Sequence, residues 1–225
     1  MVHRPIQQRT PLFAYSLRNV TEAAALAAYD WVGRGDKNAA DGAAVEVMRK
    51  ELNALPIHGT VVIGEGAKDE APELYCGEAI GLEYRRAKFD IAVDPVEGTS
   101  YTALGVNNAL SVIAMSPRGT MFDPGPSYYM DKVAVPKEAK GLIDPEAPVA
   151  EKLRVLAHAL QKKVSELNVF LLEKPRHEQV VNEIYAAGAR CSLYPAGDVM
   201  GGLMAAFPEA GIDMALGTGG TPEGI

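Results

Sequence analysis

The sequence predicts an α/β protein, on three observations. After Pro148, helical and extended segments alternate in the rhythm of a parallel sheet with crossover helices. Two short β-branched runs, Thr60 to Ile63 and Asp90 to Val93, each lead straight into a loop of carboxylates and glycine. Ahead of them, apolar residues recur at three- and four-residue spacing. With 48% of its residues hydrophobic and 23% charged, the chain has the means to bury a substantial core.

In chain order, residues 1–18 are expected to form a loose arm: His3, Arg4, Arg9 and Arg18 lie there without an acid, and Pro5 and Pro11 spoil an amphipathic helix. A first helix starts from a cap at Asn19, with Glu22 three residues on, and continues through alanines to Trp31 before Gly33 and Gly35 stop it. Asp41 is a candidate cap for a second helix, whose apolar positions Ala44, Val45, Met48, Leu52 and Leu55 run up to Pro56. The two β-branched strands follow, then a buried strand from Ala109 to Met115. Residues 119–131, with prolines at 124 and 126, read as an irregular loop anchored by its tyrosines.

Beyond Pro148 the expected elements are a helix from Val149 to Lys163, a strand from Asn168 to Leu172 and a helix from His177 to Ala187. A strand from Arg190 to Tyr194, a helix from Asp198 to Phe207 and a strand from Ile212 to Leu216 complete them. No internal repeat or low-complexity tract is present. The proline-rich stretch 144–148 is the candidate boundary, which divides the chain into an arm at 1–18, an α+β portion at 19–147 and a parallel α/β portion at 148–225.

The formal net charge is −7, and no Lys/Arg run occurs beyond the first twenty residues, so the chain is not expected to bind nucleic acid. No apolar run reaches the roughly 20 residues of a membrane span, and the basic N-terminus lacks the apolar segment of a secretory signal. Cys76 and Cys191 fit neither a CxxC pattern nor a disulfide framework, which points to a reducing compartment, the cytoplasm.

Four acidic loops carry the chemistry. In Asp94-Pro95-Val96-Glu97-Gly98-Thr99 a strand ends in two carboxylates three residues apart, and hard cations such as Mg2+ or Mn2+ prefer such oxygen ligands. Thr99 adds a hydroxyl. A strand followed by a solvated turn is the plainer account of the same residues. Gly64-Glu65-Gly66, with Asp69 and Glu70 beyond, repeats the arrangement, and its glycines allow close approach to Glu65. Asp41 in Arg34-Gly-Asp-Lys-Asn-Ala-Ala-Asp41 is a cap or a ligand, and Glu223 stands in the glycine-rich Gly217-Thr-Gly-Gly-Thr-Pro-Glu-Gly224. Four such loops are harder to dismiss than one.

The runs RGDKNAADGAAV, VVIGEG, DEAP, DIAVDPVEGT, LEKPRH and GTGGTPEG, in this order from about Arg18 to Ile225, closely resemble the class II fructose-1,6-bisphosphatases, including the cyanobacterial type that also acts on sedoheptulose bisphosphate. The resemblance implies a layered sugar-phosphatase fold of the α-β-α-β-α type, in the lithium-sensitive metal-dependent superfamily. It implies Mn2+- or Mg2+-dependent hydrolysis of the 1-phosphate of fructose 1,6-bisphosphate, a step of gluconeogenesis, by a homo-oligomer. On this basis Asp41 and Glu65 would bind one metal and Asp94, Glu97 and Glu223 another. Substrate contacts would come from Glu97, Gly98, Thr99, Tyr129, Lys174, Pro175, Arg176, Gly197, Asp198 and Gly220.

Lys174 and Arg176 suit the phosphate that is not cleaved, because a guanidinium can bind it through two donors. Asp198 could serve a sugar hydroxyl or cap the helix that follows it. Thr99 would orient the attacking water beside Glu97, with Asp69 and Glu70 as proton acceptors. His58 and His177 are expected to be structural or solvent-facing rather than ligands.

The sequence departs from the family where Asp-Gly-Asp is expected and Ala196-Gly197-Asp198 stands. Ala67 and Lys68 follow the GEG loop in place of a further glutamate, and Ser100 replaces Asn or Arg. Family chains continue for roughly another hundred residues of α/β structure, and without that portion apolar surface would be exposed and stability reduced unless an oligomer covers it. Two other readings follow from these departures: a catalytically weak relative that binds a sugar phosphate or a partner, and an inositol-type monophosphatase.

Overall fold

The computed structural model describes residues 10–66, 73–82 and 88–224, and the chain forms two compact units that divide between Asp123 and Pro124. The division falls ahead of the 144–148 stretch, because a strand at Tyr129–Ala134 belongs to the sheet of the second unit.

In the first unit, helices α1 (Thr10–Tyr29) and α2 (Lys37–Asn53) pack against each other and against a sheet. Val20, Ala24 and Ala28 of α1 and Ala40, Ala44, Met48 and Leu52 of α2 are buried at four-residue intervals. That spacing lines up one face of each helix, and the alanines let the two backbones approach. The sheet has the order β2-β1-β3-β4, from Ala79–Ile80, Gly59–Ile63, Phe89–Glu97 and Leu110–Pro117. β1 and β3 run parallel, and β2 and β4 are antiparallel to them. Val61, Ile91 and Val93 meet Met48 and Leu52 in the core, where each such side chain contributes about 1.5–3 kcal/mol by burial. A short helix α3 (Thr99–Leu104) follows β3 directly.

The second unit is a sheet of order β5-β8-β6-β7 with helices on both faces. β6 (Asn168–Leu172), β7 (Arg190–Tyr194) and β8 (Met214–Gly220) are parallel, and β5 (Tyr129–Ala134) is an antiparallel edge. The strand alternation is visible in β6: Val169 and Leu171 face Leu153 and Leu156 of α4 (Val149–Ala159) and Ile184 of α5 (Glu178–Ala186). Phe170 and Leu172 face the other way, towards Ala205 of α6 (Asp198–Ala206).

β6 and β7 have the expected bounds, and the mixed α/β class holds; several other expectations change. α1 begins at Thr10, so residues 10–18 are helical rather than an arm, and Asn19 lies inside the helix. α4 stops at Ala159, short of Lys163. Residues 129–131, the end of the stretch expected to be irregular loop, open strand β5, which pairs with β8 from Tyr129↔Gly220 to Ala134↔Ala215. That pairing extends β8 through the glycines to Gly220, because ladder hydrogen bonds outweigh the poor strand propensity of glycine.

Candidate functional site

In the first unit α2, β1 and β3 carry the expected acids, and Asp41 and Glu65 are the two that come close to one another. Glu65 follows β1, and its amide donates to the Leu74 carbonyl at 3.0 Å. Gly64 is required by this approach: a Cβ there would lie 2.0 Å from the Leu74 oxygen. The cap of α2 is Asp36, not Asp41; its carboxylate accepts the Ala39 N–H at 2.9 Å. Asp41 therefore sits inside the helix, half-buried, with its carboxylate unused by the cap.

Burial raises the Asp41 pKa above the ordinary carboxylate value. Burial first, and then the neighbouring Asp41 charge, push Glu65 up to about 7. Two partly dehydrated carboxylates thus stand close enough to repel one another, an arrangement that a divalent cation relieves.

Asp94 and Glu97 lie at the end of β3, opposite Val112 and Leu110 of β4, with a register shift between them. Glu97 is buried and Asp94 half-buried. Gly98 then turns through a left-handed conformation, φ 81°, and Thr99 opens α3. Asp69 and Glu70 lie outside the described residues. Among the described residues no group of three or more His, Cys, Asp or Glu side chains has a metal-holding arrangement; Asp41 and Glu65 form a pair.

In the second unit Tyr129, Arg176 and Asp198 come to the Gly220 end of β8. Arg176 lies in a turn after β6, its Nε donates to the Thr218 carbonyl at 2.8 Å, and its guanidinium stands 5.3 Å from the Tyr129 ring centroid. Lys174 and Pro175 precede it, both exposed. Asp198 is the first residue of α6 and Gly197 its cap, so Asp198 is not the cap residue. Its carboxylate is held instead by Lys132 Nζ at 2.7 Å. It presses on β8 so closely that a Cβ on Gly219 would come 1.6 Å from its Oδ2. Glu223 is exposed on the turn after β8, with its carboxylate against Gly220.

Two residues here were not singled out from the sequence. Lys132 lies on β5, just past the stretch expected to be irregular loop. Thr218 accepts from Arg176 through its carbonyl, and its hydroxyl donates to Asp131 at 2.5 Å. His177 is structural: it is buried, its Nε2 accepts the Thr218 N–H at 2.9 Å, and its Nδ1 is left to donate to the Leu172 carbonyl at 2.7 Å. The ring ties the end of β6 to β8. His58 is also buried.

A family model described as "Bacterial fructose-1,6-bisphosphatase, glpX-encoded" matches residues 12–225. The chain is 50% identical over 212 residues to "Fructose-1,6-bisphosphatase 1 class 2" of Escherichia coli and to "Fructose-1,6-bisphosphatase class 2" of Shigella flexneri. Each alignment takes in 94% of this chain and 62% of the relative, so the chain spans somewhat less than two thirds of the length of these proteins. With the acidic loops, the Arg176–Tyr129 pair and a family match over nearly its whole length, the chain belongs to the bacterial, glpX-encoded fructose-1,6-bisphosphatase family.

Proposed function

We propose that this chain carries the metal- and substrate-binding residues of a phosphoric monoester hydrolase that converts fructose 1,6-bisphosphate to fructose 6-phosphate and phosphate, a step of gluconeogenesis. The observation that carries the reading is the Asp41–Glu65 pair: its mutual repulsion and partial dehydration fit a hard divalent cation, Mn2+ or Mg2+. Asp94 and Glu97 are further ligands at the end of β3, and Glu223 is the metal-binding carboxylate of the second unit. A bound divalent cation supplies charge neutralisation of the phosphoryl oxygens and a more acidic water.

The chain's own residues do the rest. Thr99 orients water through its hydroxyl, at a helix start that Gly98 fixes, and Glu97 stands beside it. Asp69 and Glu70 take up the proton. Arg176 holds the phosphate that is not cleaved: its Nε is committed to Thr218, which leaves the two terminal nitrogens of the guanidinium to donate, and Tyr129 flanks it. Lys174 adds a second cation, while Asp198, Gly197, Pro175 and Gly220 shape the sugar subsite. Extension of the activity to sedoheptulose 1,7-bisphosphate belongs to the same proposal.

The reading also places the protein in the cytoplasm as a homo-oligomer. Both cysteines are free thiols, and Leu26 and Tyr29 of α1 are exposed apolar side chains. Among the described residues, no helix is long and apolar enough to cross a membrane.

Phosphate release tests the proposal. Fructose 1,6-bisphosphate with Mn2+ or Mg2+ should yield one phosphate per sugar, and chelation should abolish the release. Turnover of inositol monophosphate with none of the bisphosphate would refute the substrate assignment.

A further inference from the structure

We propose that Arg49 and Glu78 are positioning residues that hold Glu65 in register with Asp41, an inference that rests on those two acids being metal ligands. Four hydrogen-bonded groups make the connection. Arg49 lies on α2, the helix that carries Asp41, about two turns further along. Its Nε donates to Glu78 Oε1 at 2.6 Å, and the Glu73 carboxylate stands 3.6 Å from its Nη1. The other Glu78 oxygen accepts the Leu74 N–H at 2.5 Å, and the Leu74 carbonyl in turn accepts the Glu65 N–H at 3.0 Å.

The geometry is that of a clamp. Glu78 is 5% exposed, and both its oxygens are used within this one network. Leu74 is fully buried in a left-handed conformation, φ 53°, which a branched side chain rarely adopts without external restraint. The Glu78 carboxylate supplies that restraint at the Leu74 amide. A shift of Leu74 would carry the Glu65 backbone with it, since Gly64 leaves no space between the two segments. Further bonds fix the same loop, from Cys76 N–H to the Gly66 carbonyl and from Val61 N–H to the Glu78 carbonyl, each at 2.9 Å. The helix bearing one acid and the loop bearing the other are thus coupled through an ion pair, and residues that orient metal ligands in this way set metal affinity.

The test is a Mn2+ binding titration on the whole chain, followed by calorimetry, with a parallel melt of the metal-free protein. Arg49→Met and Glu78→Gln should each raise the Mn2+ dissociation constant about 10- to 100-fold, and the double variant should do no more than either single one. Arg49→Lys, which keeps the charge without the planar fork, should recover part of the affinity. Asp41→Asn and Glu65→Gln serve as controls that lose the site. A purely structural role would lower the melting temperature and leave the dissociation constant unchanged. If the controls lose Mn2+ while Arg49→Met and Glu78→Gln bind as the parent does, the positioning role is overturned. If the controls also bind as the parent does, the metal reading fails and the clamp with it. Arg49 is 39% exposed, so Arg49→Met keeps the test decisive should Glu78→Gln not fold.

Discussion

Glu65 illustrates how one residue's surroundings become a measurable property. Its pKa, raised from 4.5 to about 7, means that the folded, metal-free chain binds a proton the unfolded chain releases. The resulting stabilisation is complete below about 4.5 and is lost as pH rises through about 7. Glu65→Gln should therefore make the metal-free chain more stable than the parent at pH 8 and remove most of that difference at pH 5, as read by urea titration. Mn2+ affinity of the parent should fall as pH drops below 7, because the cation must displace that proton.

Asp90 has the opposite sign. Burial opposes its ionisation, but the Met121 and Gly119 amides and the Arg118 guanidinium overcome that and hold its pKa below 3.8. Its contribution is complete above 3.8 and is lost as pH falls through the lower folded value. Asp90→Asn should cost about 2 kcal/mol at pH 7, the range for hydrogen bonds to charged groups, and make the acid limb of the stability profile shallower.

Legibility at this scale was uneven. The acid-rich loops could be seen in the sequence, but Asp36 and Asp41 both precede apolar helical positions, and capping preference alone cannot choose between them. The bond from Ala39 to Asp36 decides it, and only then does Asp41 stand apart from the cap. The Asp41–Glu65 pairing was implied by family resemblance rather than by spacing, because it depends on how α2 packs on the sheet.

At the scale of elements, β5 and the glycine end of β8 matter most. Prolines and tyrosines made residues 119–131 read as loop, and glycines made 217–220 read as loop. Residues 129–131 and 217–220 are poor strands by themselves, and the pairing of β5 with β8 makes strands of both, while 119–128 stay outside the sheet. Thr218 escaped notice for that reason, and Lys132 because its pairing with Asp198 depends on where β5 runs, although β6 and β7 were legible to the residue. Gly219→Ala should force Asp198 and Lys132 to shift, costing about 1–3 kcal/mol as overpacking does and raising KM for the bisphosphate. On the proposed assignment of Arg176 to the phosphate that is not cleaved, Arg176→Ala should raise KM more than it lowers kcat. Steady-state kinetics on the two variants checks both expectations.

At the scale of the whole molecule, each unit has its own core, and the proposed chemistry rests on the acids. On the proposed metal reading, the paired, partly dehydrated carboxylates of Asp41 and Glu65 make the folded chain a better host for divalent cations than the unfolded one. Mn2+ at about a hundred times its dissociation constant should add about 2.7 kcal/mol of stability, and chelation should reverse the shift in Tm. The central claim is that Asp41 and Glu65 hold a metal ion together. Anomalous diffraction at the manganese edge, from crystals soaked in Mn2+, tests it most directly. The account predicts a strong peak within coordination distance of both carboxylates, and its absence from Glu65→Gln crystals. A peak bound elsewhere, with none between these two side chains, would contradict it.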